Sequence, residues 1–282
     1  MRLDELEELN QRLSALLDLN IPQGMGGLLS RAGQWLSLFR NISNGGQTVK
    51  DAQSQQVTMS PNVTTLPLVG RYITMAQVIT YVDGGRRMEI ADLEVKDATT
   101  LCLPTRAETR QQDTPQPAVI ALGGDPSAMW CGFAPLPDAI DPYLLAGWLC
   151  NKPVRFAKGI SQPVDVPADA EFIIEGMISG DEFHVTAITH RKDAVFPISV
   201  GEHDRRWIYK AIERLFLPLL KLMLDEVVDV NLPTQVGLHN LALVSIKKTY
   251  HGQAQKVMYG LWGLGQLSMT RTVIVVDDDV DV

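Results

Sequence analysis

Cysteine is scarce in this chain, and the few copies stand apart. Cys102, Cys131 and Cys150 are the only three in 282 residues, and none forms a C-x-x-C pair. That spacing excludes a disulfide framework and a thiolate zinc site, and it predicts three free thiols in a reducing compartment. Clustered positive charge is equally lacking: 25 basic residues face 33 acidic ones, for a formal charge of −8. Nucleic-acid binders release counterions with grouped Lys and Arg, and the single local pair, Arg86–Arg87, is too small for that, so no nucleic-acid partner is expected. Long apolar runs are missing too. The most apolar stretch, Leu215 to Leu224, is interrupted by Pro218 and Lys221 and is too short to span a bilayer. The amino-terminal MRLDELEELNQRL is acidic and amphipathic, without the basic-then-apolar pattern of a signal peptide. A cytoplasmic protein without membrane insertion is the expectation. No HExxH, P-loop or GxSxG motif occurs. His184, His190, His203, His239 and His251 share no metal-ligand spacing. Gly260-Leu-Trp-Gly-Leu-Gly265 falls at the end of a predicted helix, not between strand and helix, so it is no dinucleotide loop.

What is present is an ordinary globular composition, 45 % hydrophobic and 21 % charged, arranged in segments of different period. Leu3, Leu6, Leu9, Leu13, Leu16 and Leu17 recur at helical spacing, and Leu28, Leu29, Ala32, Trp35, Leu36 and Phe39 share a second helical face. Residues 1–45 therefore read as a helical arm with apolar faces to cover, and the polar, Gly/Ser/Gln-rich 46–62 as a linker. From 63 to 205 short β-type runs alternate with turn signals. They are Tyr72–Thr74, Val78–Val82 before Asp83-Gly84-Gly85, Ala118–Leu122 before Gly123-Gly124-Asp125-Pro126, Glu171–Glu175 and His184–Thr189. This pattern predicts a mostly β, barrel-like domain. A connecting helix is predicted across 206–231. In 232–282, Leu241–Ile246, Ala254–Leu264 and Thr272–Val276 read as one βαβ unit with buried parallel strands. The predicted class is α+β. Apolar strands at the carboxyl end predict a truncated sheet or one completed by another chain.

Pro167-Ala-Asp-Ala-Glu-Phe-Ile-Ile-Glu-Gly176 resembles the UbiD carboxy-lyase pattern PA-x-AE-x-x-x-EG. Further fragments stand around it in the family's order: Ala121–Pro126, Ala146-Gly147, Ile188–Arg191, Glu213–Pro218, Ser245–Lys248, Gly252–Ala254 and Val275–Val280. The resemblance covers roughly 66 to 282. It implies a split β-barrel of flavin-reductase type followed by a shortened α/β domain. It also implies reversible decarboxylation of aromatic or unsaturated acids on prenylated FMN, with manganese or magnesium, and potassium. In such chemistry the cofactor is the electron sink while the protein positions it and supplies a proton.

Carried over residue by residue, the resemblance makes Glu175 the metal-binding carboxylate and Asp204, with Glu202 second, the proton donor. Asp204 also reads as the cap of a helix starting at Arg205. The family's N-x-G-x-Y-R segment falls on Arg87-Met-Glu-Ile-Ala-Asp92. Arg87 stands in place of a metal-binding Asn, and Asp92 in place of the Arg that meets the substrate carboxylate. A cation cannot ligate a metal, and Asp92 would repel a carboxylate. The expected metal-binding His is absent around Leu101–Pro104. Three roles follow. One is a non-catalytic or accessory subunit of a homo- or hetero-oligomer with a longer UbiD-like catalytic chain, binding no cofactor itself. Another is an active (de)carboxylase whose cofactor site is rebuilt from Glu175, Arg87, Glu202 and Asp204. The last is a binding module using a barrel cavity without chemistry.

Overall fold

The computed structural model describes Gln11 and residues 46–82, 85–103, 114–136, 140–150, 152–237 and 240–282. For the helical residues 201–207 it describes the backbone only. The predicted helices between Leu3 and Phe39 and the Asp83-Gly84 turn lie outside the described residues, as does Pro104. The chain divides into two compact units, one of residues 41–132 and 139–199, the other of 1–40, 133–138 and 200–282.

The first unit is built on a closed barrel. Its strands, in chain order, are β1 (Gln47–Thr48), β2 (Val57–Met59), β3 (Tyr72–Val82), β4 (Gly85–Val95), β5 (Thr100–Cys102), β6 (Gln116–Leu122), β7 (Arg155–Lys158), β8 (Asp165–Pro167), β9 (Phe172–Ser179) and β10 (Glu182–His190). Hydrogen bonding runs β10-β5-β4-β3-β6-β9 and returns from β9 to β10, which closes the ring with antiparallel neighbours. β2 extends β10 beyond β5, so the polar stretch read as a linker contributes strands. Closure gives each of these six strands a partner on both sides, which an open sheet cannot do. The interior is filled by alternate residues of each strand. Val78, Ala118, Ile120, Leu122, Ile174 and Phe183 are buried together, as period-2 side-chain alternation requires.

β3 carries one irregularity. Met75 has φ 56° and the β3–β4 register shifts between Ile73 and Ala76. The Met75 amide donates to Asp92 Oδ1 at 3.1 Å, which props this bulge from β4. The two runs expected on either side of Met75 are therefore one strand.

Between β6 and β9 the chain leaves the barrel and lays a cover over its outer face. The cover contains α1 (Pro126–Cys131), α2 (Pro142–Leu149), β7 and β8, with β1 paired to β7. Both helices start on the same chemistry. Asp125 and Asp141 accept from the amides of Ser127 and Tyr143 as N-caps, and a proline occupies the first turn of each. The Tyr81 hydroxyl on β3 ties the cover down, donating to the Asp165 carbonyl and accepting from the Asp165 amide, both at 2.9 Å.

The second unit holds α3 (Gly201–Met223), β11 (Val227–Asn231), β12 (Leu241–Ile246), α4 (Gln253–Trp262) and β13 (Thr272–Asp277). β12 and β13 are parallel and joined by α4, as the apolar runs predicted, and β11 adds antiparallel to β12. α3 begins at Gly201 with Val200 as N-cap, so Asp204 lies in its first turn and does not cap it. Among the described residues, no helix is long and apolar enough to cross a membrane.

Candidate functional site

Glu175 lies in the middle of β9 and is fully buried. Alternation along β9 turns it away from the barrel interior, toward the cover. There the turn 160–162 presents its backbone to the carboxylate. Oε1 accepts the Ile160 amide at 2.8 Å. Oε2 accepts the amides of Ser161 and Gln162 at 2.8 and 3.0 Å and the Ser161 hydroxyl at 3.0 Å. A carboxylate offers about two acceptor positions on each oxygen; three of the four donors crowd Oε2, and Oε1 takes one. Gly159 makes this approach possible: a Cβ there would sit 2.8 Å from Glu175 Oε2 and 2.6 Å from the Gln162 carbonyl.

A divalent cation at Glu175 would compete with these donors for the carboxylate. Among the described residues no group of three or more His, Cys, Asp or Glu is placed to hold a metal. The described residues therefore do not fit the metal that the resemblance implies. Arg87 is exposed on β4, opposite Thr80 of β3, and Asp92 is engaged with the β3 bulge. The side chains of Glu202 and Asp204 lie outside what is described, and these residues belong to the second unit. Glu175 and Arg87 belong to the first unit and Glu202 and Asp204 to the second, and neither Glu175 nor Arg87 lines the cavity described next.

A concave feature of the first unit lies elsewhere, between the outer face of the barrel and its cover. It encloses about 530 Å³, within the usual range for small-molecule sites. Gln77 of β3 forms part of its floor. Gln77 alternates with the interior residues Ala76 and Val78, so it points outward, accepting from the Tyr143 hydroxyl at 3.1 Å and donating to the Gly123 carbonyl at 3.1 Å. Burial pushes the Tyr143 phenol far above its ordinary value, with the Asp141 carboxylate adding to the effect; Tyr143 is thus a neutral hydrogen-bonding group at any working pH. Three ion pairs complete the polar wall: Lys152–Asp125 at 3.2 Å, Arg191–Glu171 at 3.3 Å, and Arg155–Asp169. The Cys150 thiol donates to Asp125 at 3.3 Å and is pushed up, first by burial. Asp125 itself is held below the usual carboxylate range; burial opposes this, but the Ser127 amide, Cys150 and Lys152 outweigh it.

A positioning pair stands behind the cavity. Arg86 of β4 donates through Nε and Nη2 to Asp141 Oδ2, both at 2.7 Å, and its guanidinium lies 3.9 Å from the centre of the Phe156 ring. Tyr143 meets Phe156 edge-on at 5.1 Å. Arg86 therefore fixes the start of α2, and with it Tyr143. None of the cavity residues was singled out as functional from sequence, although Asp125, Glu171 and Arg191 sit inside the family fragments.

Comparison with known proteins accounts for both units. Residues 47–183 match the Rift-related domain of 3-octaprenyl-4-hydroxybenzoate carboxy-lyase, and 206–282 match its C-terminal domain. A protein of Archaeoglobus fulgidus is 32 % identical, aligning with 100 % of this chain and 67 % of its own length. One of Aquifex aeolicus is 30 % identical, over 99 % and 66 %. The chain thus spans about two thirds of the length of these relatives. Among solved structures, vanillic acid decarboxylase of Sedimentibacter hydroxybenzoicus shares the fold with a TM-score of 0.67 at 20 % identity, over 95 % of this chain and 67 % of that one. An evolved dimeric form of HmfF from Pelotomaculum thermopropionicum, in complex with prenylated FMN, gives 0.66 at 20 % identity, over 98 % and 70 %. Both domain matches fall in chain order on a closed barrel followed by the βαβ unit, and the chain belongs to the UbiD family of carboxy-lyases.

Proposed function

We propose that this chain is an accessory, non-catalytic subunit of a UbiD-type (de)carboxylase acting on an aromatic or unsaturated acid. The observation that carries the proposal is the commitment of Glu175: its carboxylate is spent on the 160–162 turn, where the family pattern calls for a metal ligand. Arg87 and Asp92 support it, because Arg87 cannot replace an Asn ligand and Asp92 cannot replace a substrate-binding Arg. The prenylated FMN held by the HmfF relative belongs, on this proposal, to a longer UbiD-like partner. This chain contributes a barrel and a covered cavity, and no step of the chemistry passes through a metal bound to it.

The test is purification of the chain co-expressed with a flavin prenyltransferase, read by absorbance, elemental analysis and native mass spectrometry. A colourless, metal-free chain that assembles with a longer UbiD-like subunit is the expected result. Stoichiometric prenylated FMN with manganese would overturn it and return Glu202 and Asp204 to consideration as proton donors.

One observation favours a second reading, a binding module without chemistry. The cavity beneath the cover is ligand-sized and edged by three ion pairs, whereas the barrel interior is packed with apolar side chains.

A further inference from the structure

β13 is the last strand of the second unit's sheet, and among the described residues no strand pairs with its far side. The Thr272 amide donates to the Asn240 carbonyl, on the β12 side, at 3.1 Å. Successive amides along a strand point to opposite edges, so those of Val273, Val275 and Asp277 point away from the sheet. Exposed edges of this kind are usually blunted by lysine, proline or a bulge. Thr272-Val-Ile-Val-Val276 holds none of the three, and it pairs with β12 without a register shift.

The side chains along this edge are apolar and open. Ile274, in the middle of the strand, is 44 % exposed. Tyr259 and Trp262 of α4 are exposed as well, with ring centres 6.3 Å apart. The Trp262 indole donates to the Thr270 carbonyl at 2.7 Å, which sets it beside the start of β13. Aromatic side chains so placed are typical of protein interfaces. The two ends of the strand carry opposite charge: Arg271 precedes it and Asp277 closes it, both exposed.

We propose that β13 is a self-association strand, pairing antiparallel with the β13 of a second copy of this chain about a twofold axis at Ile274. Directly opposite residues in an antiparallel ladder share the same hydrogen-bonding sense, so outward amides must meet outward amides. With Ile274 facing its twin, Val273 opposes Val275 and Arg271 opposes Asp277, and symmetry makes each pair twice. Ile274 then falls at a non-hydrogen-bonded position, where opposed side chains approach most closely. Moving the axis to Val275 would set Asp277 against Val273 and separate it from Arg271. Opposite charges directly across a ladder stabilise it, so the charges select the first register. An unrelated strand would meet the same amides without the matching charges or the second isoleucine. The product is one continuous six-stranded sheet. This surface lies in the second unit, apart from the cavity and from Glu175, and its test reads neither flavin nor metal.

The test is sedimentation of the intact chain over a wide concentration range, with amide hydrogen exchange at both ends of that range. A monomer–dimer equilibrium is expected, with exchange at Val273 and Val275 slowed in the dimer. Ile274→Lys sets two ammonium groups face to face and is expected to weaken the dimer about tenfold or more. Arg271→Asp and Asp277→Arg each oppose like charges and are expected to weaken it about tenfold. The double variant Arg271→Asp/Asp277→Arg restores opposite pairs and is expected to return within about threefold of the parent. Should a variant fail to fold, exchange in the unmodified protein still decides. A chain that stays monomeric throughout, a dimer whose Val273 and Val275 amides exchange as fast as in the monomer, or a double variant no tighter than the single ones would each overturn the proposal.

Discussion

The Ser161 amide and the Ser161 hydroxyl both donate to one oxygen of Glu175, at 2.8 and 3.0 Å, so a single side chain gathers a whole turn. Replacing Glu175 by Gln puts an NH₂ group among four donors, and replacing it by Ala leaves buried amides unpaired. Each change is expected to destabilise the chain by about 3 kcal/mol or more in urea unfolding. Manganese is expected to leave the unfolding midpoint of the unmodified chain where it is. A Gln variant as stable as the parent would show that the turn does not depend on this carboxylate.

Asp141 does two jobs, capping α2 and pairing with Arg86, and different substitutions separate them. Asn keeps the cap but loses the ion pair; Ala loses both. Asp141→Ala is expected to cost about 1 kcal/mol more than Asp141→Asn. Arg86→Met, which strands a nearly buried carboxylate, is expected to cost about 3 kcal/mol. Equal stabilities for the Asn and Ala variants would remove the capping role.

Gly176 admits no side chain. A Cβ there would lie 2.6 Å from the Phe183 ring and still closer to the His184 carbonyl, within the β9–β10 pairing that closes the barrel. Gly176→Ala is expected to leave little soluble protein, or to lower stability by about 3 kcal/mol. A soluble variant with unchanged unfolding would contradict this packing.

Glu213 on α3 is buried, and that burial pushes its carboxyl up from the ordinary 4.5, while Lys210 at 2.7 Å pulls it back. A group raised on folding binds protons more tightly in the folded state. Its contribution is therefore full below 4.5 and is lost as pH rises through the raised value. The parent is thus expected to lose stability relative to Glu213→Gln as pH rises above 4.5, with a plateau thereafter. A parent that gained stability relative to Glu213→Gln over the same range would reverse the sign and refute the assignment.

All three thiols are pushed up by burial, Cys131 most strongly. With little thiolate at neutral pH, native protein is expected to react with a disulfide reagent at least about tenfold more slowly than urea-unfolded protein, with Cys150 leading. Rapid labelling of Cys131 in the folded chain would contradict its placement.

How much of this was legible beforehand depended on the range of the cause. β12, α4 and β13 could be read because continuous apolar β-branched runs on either side of a helical period are local signals. β3 was read in two pieces, since the bulge at Met75 depends on Asp92, seventeen residues away in sequence. β4 was treated as a motif segment, although its alternating burial is that of a strand. α1 and α2 had a local signature that went unused, the Asp-Pro pairs at 125–126 and 141–142. The cavity was not legible at all. Gln77, Asp125, Tyr143, Arg155, Glu171 and Arg191 come together only through barrel register and the folding back of the cover, and no spacing along the chain encodes that. Glu175 was found by pattern, but the donors that occupy it come from a turn no motif marks.

The cover leaves the barrel after Leu122 and rejoins it at Phe172, and these two residues face one another across β6 and β9. A chain that departs and returns through the same rung places no demand on the strands it interrupts. Lengthening such an excursion twofold adds only about 0.6 kcal/mol of closure entropy. Descendants of this fold can thus rewrite the ligand-facing segment by insertion, deletion or wholesale replacement while the barrel keeps its pairing. Diversification among relatives is expected to concentrate between these two residues, with β6 and β9 themselves changing slowly.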